Sequence, residues 1–227
     1  MTHIENLPVV AKAPAPWNLK GQGYIFAVLL PETVLDQQSF IPESLAGTRR
    51  GRLAYAMFVD YAESDAGPYH ELLYIPGSFQ FSDARRLSIT KIYVSSWESV
   101  VNGRENWGIP KERCDFFVSY GAEGVDRIRL KAEDGTVFAN LELEHHFIKL
   151  PMPGHWVPER LRTLSQHFGG QQFTFSPESQ GHIKWASVRH WEFDSRYFPD
   201  LAQGRVIAAF KVTDFRMVFP VSRVAPI

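Results

Sequence analysis

The sequence has little of several features that would place a chain in a specialised class of protein. It contains a single cysteine, Cys114, so no disulfide can form within the chain, which suits a reducing compartment. No run approaches the ~18 consecutive apolar residues that a membrane-spanning helix needs. The first residues, MTHIENLPVVAKAPAPW, lack the basic start and long apolar core of a secretion signal. We therefore expect a cytoplasmic protein without a membrane partner.

An excess of charge of either sign is also missing. Lys and Arg total 24 and Asp and Glu total 25, which gives a formal net charge of −1 at pH 7. Surfaces that bind nucleic acid need a strong positive field, so we expect no nucleic-acid partner. HxxxH and CxxC spacings are absent, and the adjacent His145 and His146 would point to opposite faces of a strand. We therefore predict no metal site and no cofactor.

The composition that remains is typical of one globular domain. Hydrophobic residues make up 44% of the 227 residues and charged residues 22%, which is enough apolar material for a sizeable core. Pro8, Pro14 and Pro16 fix the backbone and remove hydrogen-bond donors near the N-terminus. We expect an extended N-terminal arm over residues 1–18 and one domain over residues 19–227.

The hydrophobic pattern predicts a mainly β chain. Apolar, β-branched and aromatic residues are concentrated in segments that predict strands, at 24–31, 51–64, 68–81 and 86–96. Asp134-Gly135 is a hairpin turn signal. A short helix is expected within 32–45, and a second over 96–108, with Ser95 or Ser96 as its cap and Gly108 at its end. The sequence predicts a mainly β (α+β) single domain, barrel-like or sandwich-like, with antiparallel strands and one or two short helices.

Lys111 lies in the stretch GRENWGIPKERCDF (103–116), directly after Pro110. A lysine in water is an ammonium ion, whereas burial favours the neutral amine. A neutral amine can attack a carbonyl carbon and form an iminium ion that draws in electrons. The alternative is a lysine at the start of a strand whose ammonium group reaches solvent. Cys114 has no histidine–acid arrangement around it in the sequence, and we expect a buried, inert thiol.

Two ordered segments, AGPYHELL (66–73) and KIYVSSWESVVNGRENWGIPKE (91–112), resemble the acetoacetate decarboxylase family. The matching residues are Gly67, Tyr69, Glu71, Gly103, Arg104, Glu105, Gly108, Pro110 and Lys111. The resemblance implies an acetoacetate decarboxylase-like fold that is barrel-like and antiparallel, with a homo-oligomer as a possible assembly.

The resemblance also implies a chemistry. Lys111 would form a Schiff base with a small keto acid or related carbonyl substrate, and Glu71 would act as an acid/base or electrostatic group. Loss of CO2 from the iminium, protonation and hydrolysis would make the protein a decarboxylase-like lyase. Tyr69 and Arg104 are candidate substrate contacts. A solvated strand face for Glu71 and a structural contact for Arg104 remain alternatives.

Three positions depart from the family's decarboxylases. The second lysine that follows their nucleophile is Glu112 here, and an anion there would favour the ammonium form. An ungapped alignment puts their carboxylate-binding arginine near Gln22, which makes Gln22 a further candidate substrate contact, and a second glutamate near Ala56. Aldolase or dehydratase chemistry through the same imine is therefore an alternative, as is a barrel that binds a small molecule without catalysis.

Overall fold

The structure, a computed structural model, describes residues 7–153 and 158–227. Its strands are β1 (Trp17–Leu29), β2 (Arg49–Arg50), β3 (Leu53–Glu63), β4 (Tyr69–Ile75), β5 (Ser78–Gln80), β6 (Arg85–Leu87), β7 (Lys91–Val94), β8 (Lys111–Arg113), β9 (Asp115–Tyr120), β10 (Val125–Lys131), β11 (Val137–His145), β12 (Leu150–Met152), β13 (Leu164–Phe168), β14 (Gln171–Phe175), β15 (Glu178–Phe193), β16 (Arg205–Phe219) and β17 (Arg223–Pro226).

Three α-helices lie among these strands in the described residues: α1 (Glu32–Gln37), α2 (Trp97–Trp107) and α3 (Glu159–Arg162). Short 3-10 turns lie at Glu43–Leu45 and Leu201–Gln203. The longest helix, α2, has the predicted ends. The Ser96 side chain accepts a hydrogen bond from the Ser99 amide, and Gly108 ends the helix at φ 62°, where glycine is favoured. None of the described helices is long and apolar enough to cross a membrane.

The larger sheet positions the site. Within the described residues it has eleven strands in the order β8-β7-β4-β3-β1-β16-β15-β11-β10-β9, with β12 beside β15. It curls into a nearly closed barrel, as expected for a mainly β fold. Its neighbours are antiparallel except at the edge, where β8 pairs with β7 in parallel and Lys111 lies opposite Ile92. A second sheet of six strands has the order β17-β14-β13-β6-β5-β2.

The two faces of the larger sheet bury different cores because side chains alternate along a strand. On β3, Ala56 and Phe58 belong to one hydrophobic cluster, and on β4 Leu72 and Tyr74 join them. The alternate residues of the same strands belong to a second cluster, which helix α2 and the smaller sheet also contact; it includes Tyr61, Tyr69, Leu73, Ile75, Trp107 and Leu164. The site lies in this second cluster.

The N-terminal segment runs alongside helix α2. Residues 1–6 of the predicted arm lie outside the described residues, residues 7–16 contain no helix or strand, and β1 begins at Trp17. The Asn102 side chain accepts a hydrogen bond from the Ala13 amide at 2.8 Å and donates one to the Ala11 carbonyl at 3.0 Å. These contacts hold the segment against the helix that carries part of the site.

Candidate active site

The Lys111 side chain is buried at the start of β8, with 3% of its surface exposed. Its Nζ atom donates hydrogen bonds to Ser99 Oγ at 2.9 Å, to Glu71 Oε2 at 3.1 Å and to Tyr69 Oη at 3.4 Å. The same atom lies 4.9 Å from the ring centre of Tyr69 and 5.8 Å from that of Trp17. The burial excludes the alternative in which this ammonium group reaches solvent.

Glu71 is also buried, with 4% of its surface exposed, because it lies on the inner face of β4 opposite Val59 and Val94. Besides the bond from Lys111, its other carboxylate oxygen accepts a hydrogen bond from Tyr61 Oη at 3.4 Å. Burial, more than the nearby Glu71 carboxylate, raises the pKa of Tyr61 and of Tyr69 well above the ordinary phenol value. Both tyrosines therefore stay neutral and can donate hydrogen bonds to the site.

Helix α2 fixes the backbone and the stem of Lys111. The Arg104 guanidinium donates two hydrogen bonds to the Lys111 carbonyl, from Nε at 2.9 Å and from Nη2 at 2.6 Å. Burial lowers the pKa of Arg104. At Gly103 an added Cβ would lie only 2.7 Å from Lys111 Cδ and 2.9 Å from Cε. Arg104 thus contacts the main chain of the candidate nucleophile, and glycine at 103 leaves room for its side chain.

Glu112 points away from Lys111, as alternation along β8 requires. Its carboxylate accepts a hydrogen bond from Lys91 Nζ at 2.7 Å. The Lys91 ammonium in turn lies 4.7 Å from the ring centres of both Phe40 and Tyr93. The charge that replaces the family's second lysine is therefore paired on the other face of the sheet.

Gln22 and Ala56 do not join the Lys111 cluster. Gln22 lines a separate surface pocket and donates a hydrogen bond to Asp60 Oδ2 at 3.5 Å. Ala56 is buried in the hydrophobic cluster on the opposite face of β3. Of the candidate residues, Lys111, Glu71 and Tyr69 come together, Arg104 contacts the Lys111 main chain, and Gln22 lies apart.

A cavity of about 280 Å³ adjoins the Lys111 cluster. Its polar lining includes Lys111, Glu71, Tyr61 and Tyr69, and most of the remaining wall is apolar or aromatic. The apolar lining includes Trp17, Met57, Val59, Leu73, Ile75, Ile92, Trp107, Ile109, Val212, Phe215 and Met217. Such a cavity with a few convergent polar groups is the usual form of a small-molecule site.

Sequence reasoning missed Ser99, Tyr61 and Trp17 as parts of the site. Ser99 is four residues before Gly103 on α2, so the two positions share a helix face that meets Lys111. That spacing was a usable signal. Tyr61 belongs to the site because it lies opposite Tyr69 in the pairing of β3 with β4. The residues around Tyr61 in the sequence do not indicate this cross-strand neighbour.

Neither a cluster of metal-binding side chains nor a reactive cysteine forms a second candidate site in the described part of the chain. No set of three or more His, Cys, Asp or Glu side chains there is placed to hold a metal ion. Cys114 is a free, fully buried cysteine, and burial raises the pKa of its thiol. The expected inert thiol agrees with this position.

Solved structures share the fold over nearly the whole chain. An acetoacetate decarboxylase from Legionella pneumophila has a TM-score of 0.68 at 13% identity, covering 96% of this chain and 91% of its own. An acetoacetate decarboxylase-like enzyme from Sphingomonas wittichii RW1 has a TM-score of 0.70 at 13% identity, covering 100% and 98%. At these identities the likeness concerns the fold.

A third structure with this fold is the enduracididine biosynthesis enzyme MppR, complexed with the condensation product of pyruvate and imidazole 4-carboxaldehyde. Its TM-score is 0.64 at 13% identity, and the match covers 93% of this chain and 89% of its own. No curated protein matches the sequence. The family model for acetoacetate decarboxylase (ADC) matches residues 27–194, which is more than half of the chain. The chain therefore belongs to the acetoacetate decarboxylase family.

Proposed function

We propose that the protein is a Schiff-base-forming lyase in which Lys111 attacks the carbonyl carbon of its substrate. The observation that carries the proposal is the burial of Lys111 Nζ, 3.1 Å from the Glu71 carboxylate, at the wall of a largely apolar cavity. A buried amine with an acceptor at hydrogen-bond distance has a route for losing the proton that blocks nucleophilic attack.

In the proposed reaction, Glu71 takes a proton from the Lys111 ammonium, and the free amine adds to the carbonyl carbon. The resulting carbinolamine loses its hydroxyl group as water, with a proton returned by Glu71, and leaves an iminium ion. Tyr61, Tyr69 and Ser99 hold the carboxylate and the amine in place through hydrogen bonds. Water finally hydrolyses the iminium and releases Lys111.

The iminium can react further in two ways. In the decarboxylase-like route, the bond to a β-carboxylate breaks, CO2 leaves, and its electron pair forms an enamine that is then protonated. In the aldolase or dehydratase route, Glu71 takes an α-proton from the iminium and forms the enamine. The enamine then attacks a second carbonyl compound, or it expels a β-hydroxyl group, which leaves as water with the proton returned by Glu71. The condensation product bound to MppR supports the second route for this fold.

A barrel that only binds a small molecule is the competing function. The specific observation in its favour is the buried ion pair itself, since a lysine held as an ammonium by Glu71 is not nucleophilic. The two functions differ in one outcome: only the enzyme forms a covalent adduct through Lys111.

Borohydride reduction tests this difference. The protein is incubated with pyruvate, acetoacetate and neutral ketones and aldehydes, reduced, weighed intact and digested to locate the adduct. We expect an adduct on Lys111, and its mass shows whether CO2 has left. The controls are the single variant Lys111→Met and the double variant Lys111→Met/Glu71→Gln. The double variant removes both charges of the buried pair, so that neither remains unpaired.

Absence of an adduct with every carbonyl compound, or equal adduct in wild type and both variants, would contradict the proposal. Circular dichroism of each variant establishes that it is folded, so that a missing adduct reports on the amine.

A further inference from the structure

The cavity beside Lys111 has more room than a small keto acid fills. Its volume of about 280 Å³ is nearly twice the ~150 Å³ of an apolar protein cavity that binds benzene. A substrate of pyruvate size would leave much of this apolar wall uncovered. The volume that a small keto acid would not fill therefore indicates that the substrate is larger than pyruvate.

The apolar part of the cavity extends away from the lysine along one strand. Glu71, Leu73 and Ile75 are alternate residues of β4, and all three line the cavity. Ile75 lies four residues beyond Glu71, which is roughly 13 Å at the usual rise of an extended strand. The neighbouring strand continues this wall, since Met57 lies opposite Leu73 in the register and also lines the cavity.

Charge is scarce along this path. Among the described residues that line the cavity, Lys111 and Arg162 are the only cations and Glu71 is the only carboxylate. The Nη atoms of Arg162 donate to the carbonyls of Ser176 and Pro177 at 3.0 and 2.9 Å and to Glu178 at 3.1 Å, whereas its buried Nε has no hydrogen-bond partner among the described residues. A charged group that lies against Leu73 and Ile75 would lose its hydration and meet only apolar side chains there.

We propose that the substrate carries its carbonyl group on a medium-length, uncharged alkyl or arylalkyl chain, which lies along β4 while the carbonyl carbon reaches Lys111. This inference rests on the proposed function for the reacting end of the substrate. It concerns a different part of the cavity, so the two can fail separately.

Binding and trapping along a homologous series test the inference. Straight-chain 2-alkanones of increasing length are reduced with borohydride on the protein. The corresponding 2-alkanols, which cannot form an imine, are titrated by calorimetry. We expect the affinity for the alcohols to rise roughly three- to fourfold per methylene, until the chain fills the cavity. Trapping at a fixed low ketone concentration should rise in parallel.

Two variants test whether the alkyl chain of the substrate lies along β4. Leu73→Phe adds bulk to the wall and should move the chain-length limit to shorter compounds. Met57→Ala removes bulk from the opposite position and should move the limit to longer ones, which keeps the test available if the first variant does not fold. Leu53→Phe is the matched control because Leu53 is 38% exposed on β3.

The outcomes separate the two proposals. If longer alcohols bind more tightly but no ketone is trapped, the result would support the apolar chain site and contradict the proposed imine chemistry. Trapping of short ketones with an affinity that does not change with length would overturn the inference alone. Tighter binding of a chain that ends in a carboxylate than of its uncharged counterpart would also overturn it.

Discussion

At the scale of single residues, the site depends on a buried charged pair whose members need each other. Lys111 and Glu71 are both nearly fully buried, and their Nζ and Oε2 atoms are 3.1 Å apart. Removing one member of a buried pair leaves an uncompensated charge, whereas replacing both members often has little net effect.

We expect Lys111→Met to lower the free energy of unfolding by about 3–5 kcal/mol. The double variant Lys111→Met/Glu71→Leu should recover most of this loss, because it leaves no buried charge. Urea denaturation of wild type, both single variants and the double variant gives the coupling energy. Additive effects of the two substitutions would show that the side chains do not form an ion pair.

A second residue-scale expectation concerns acid. Burial lowers the pKa of His70 below its usual value of 6.5, and Asp60 at 3.4 Å opposes this only partly. Between pH 6.5 and the lowered pKa of His70, the unfolded chain therefore binds more protons than the folded chain. The stabilising effect of the neutral imidazole is complete above pH ~6.5 and is lost as the pH falls through the lowered pKa.

His70→Gln should therefore lose less stability than wild type when the pH is lowered from neutral into this range. Urea titrations at several pH values measure the two slopes. The control is His190→Gln, because His190 is exposed. Identical slopes for wild type and His70→Gln would contradict the expectation.

At the scale of elements, helix α2 and strand β8 form the site together. Ser99 and Gly103 on the helix meet the Lys111 side chain, and Arg104 binds the Lys111 carbonyl. Much of this arrangement follows from the sequence, which predicted a cap at Ser95 or Ser96, the glycine end at Gly108 and the strand character of 91–94. The placement of Lys111 opposite Ile92 was not, because parallel edge pairing depends on contacts between distant segments.

Gly103→Ala tests whether this packing positions the amine. The added methyl group would lie 2.7 Å from Lys111 Cδ, so the side chain must shift. We expect a folded protein, since alanine favours the helix, but at least a tenfold slower formation of the Lys111 adduct. Glu98→Ala, on an exposed position of the same helix, is the control. Unchanged trapping rates in Gly103→Ala would show that the packing does not matter.

At the scale of the whole molecule, the sequence predicted the mainly β fold and the family, while side-chain placement needed the structure. Gln22 illustrates the reason. An alignment error of one residue moves a side chain to the other face of a strand, and Leu19, Gly23 and Ile25 line the cavity while Gln22 does not. The apolar character of the cavity was also hidden, because its wall combines strands from distant parts of the chain.

Reversible imine formation at Lys111 is the central step of the proposed function, and oxygen exchange measures this step most directly. A 2-alkanone is incubated with the protein in water enriched in oxygen-18. Each cycle of imine formation and hydrolysis releases the original carbonyl oxygen as water and installs one from the solvent. We predict that wild type accelerates the exchange and that folded Lys111→Met/Glu71→Gln does not. Equal exchange rates for the two proteins, with the ketone shown to bind both, would contradict the account.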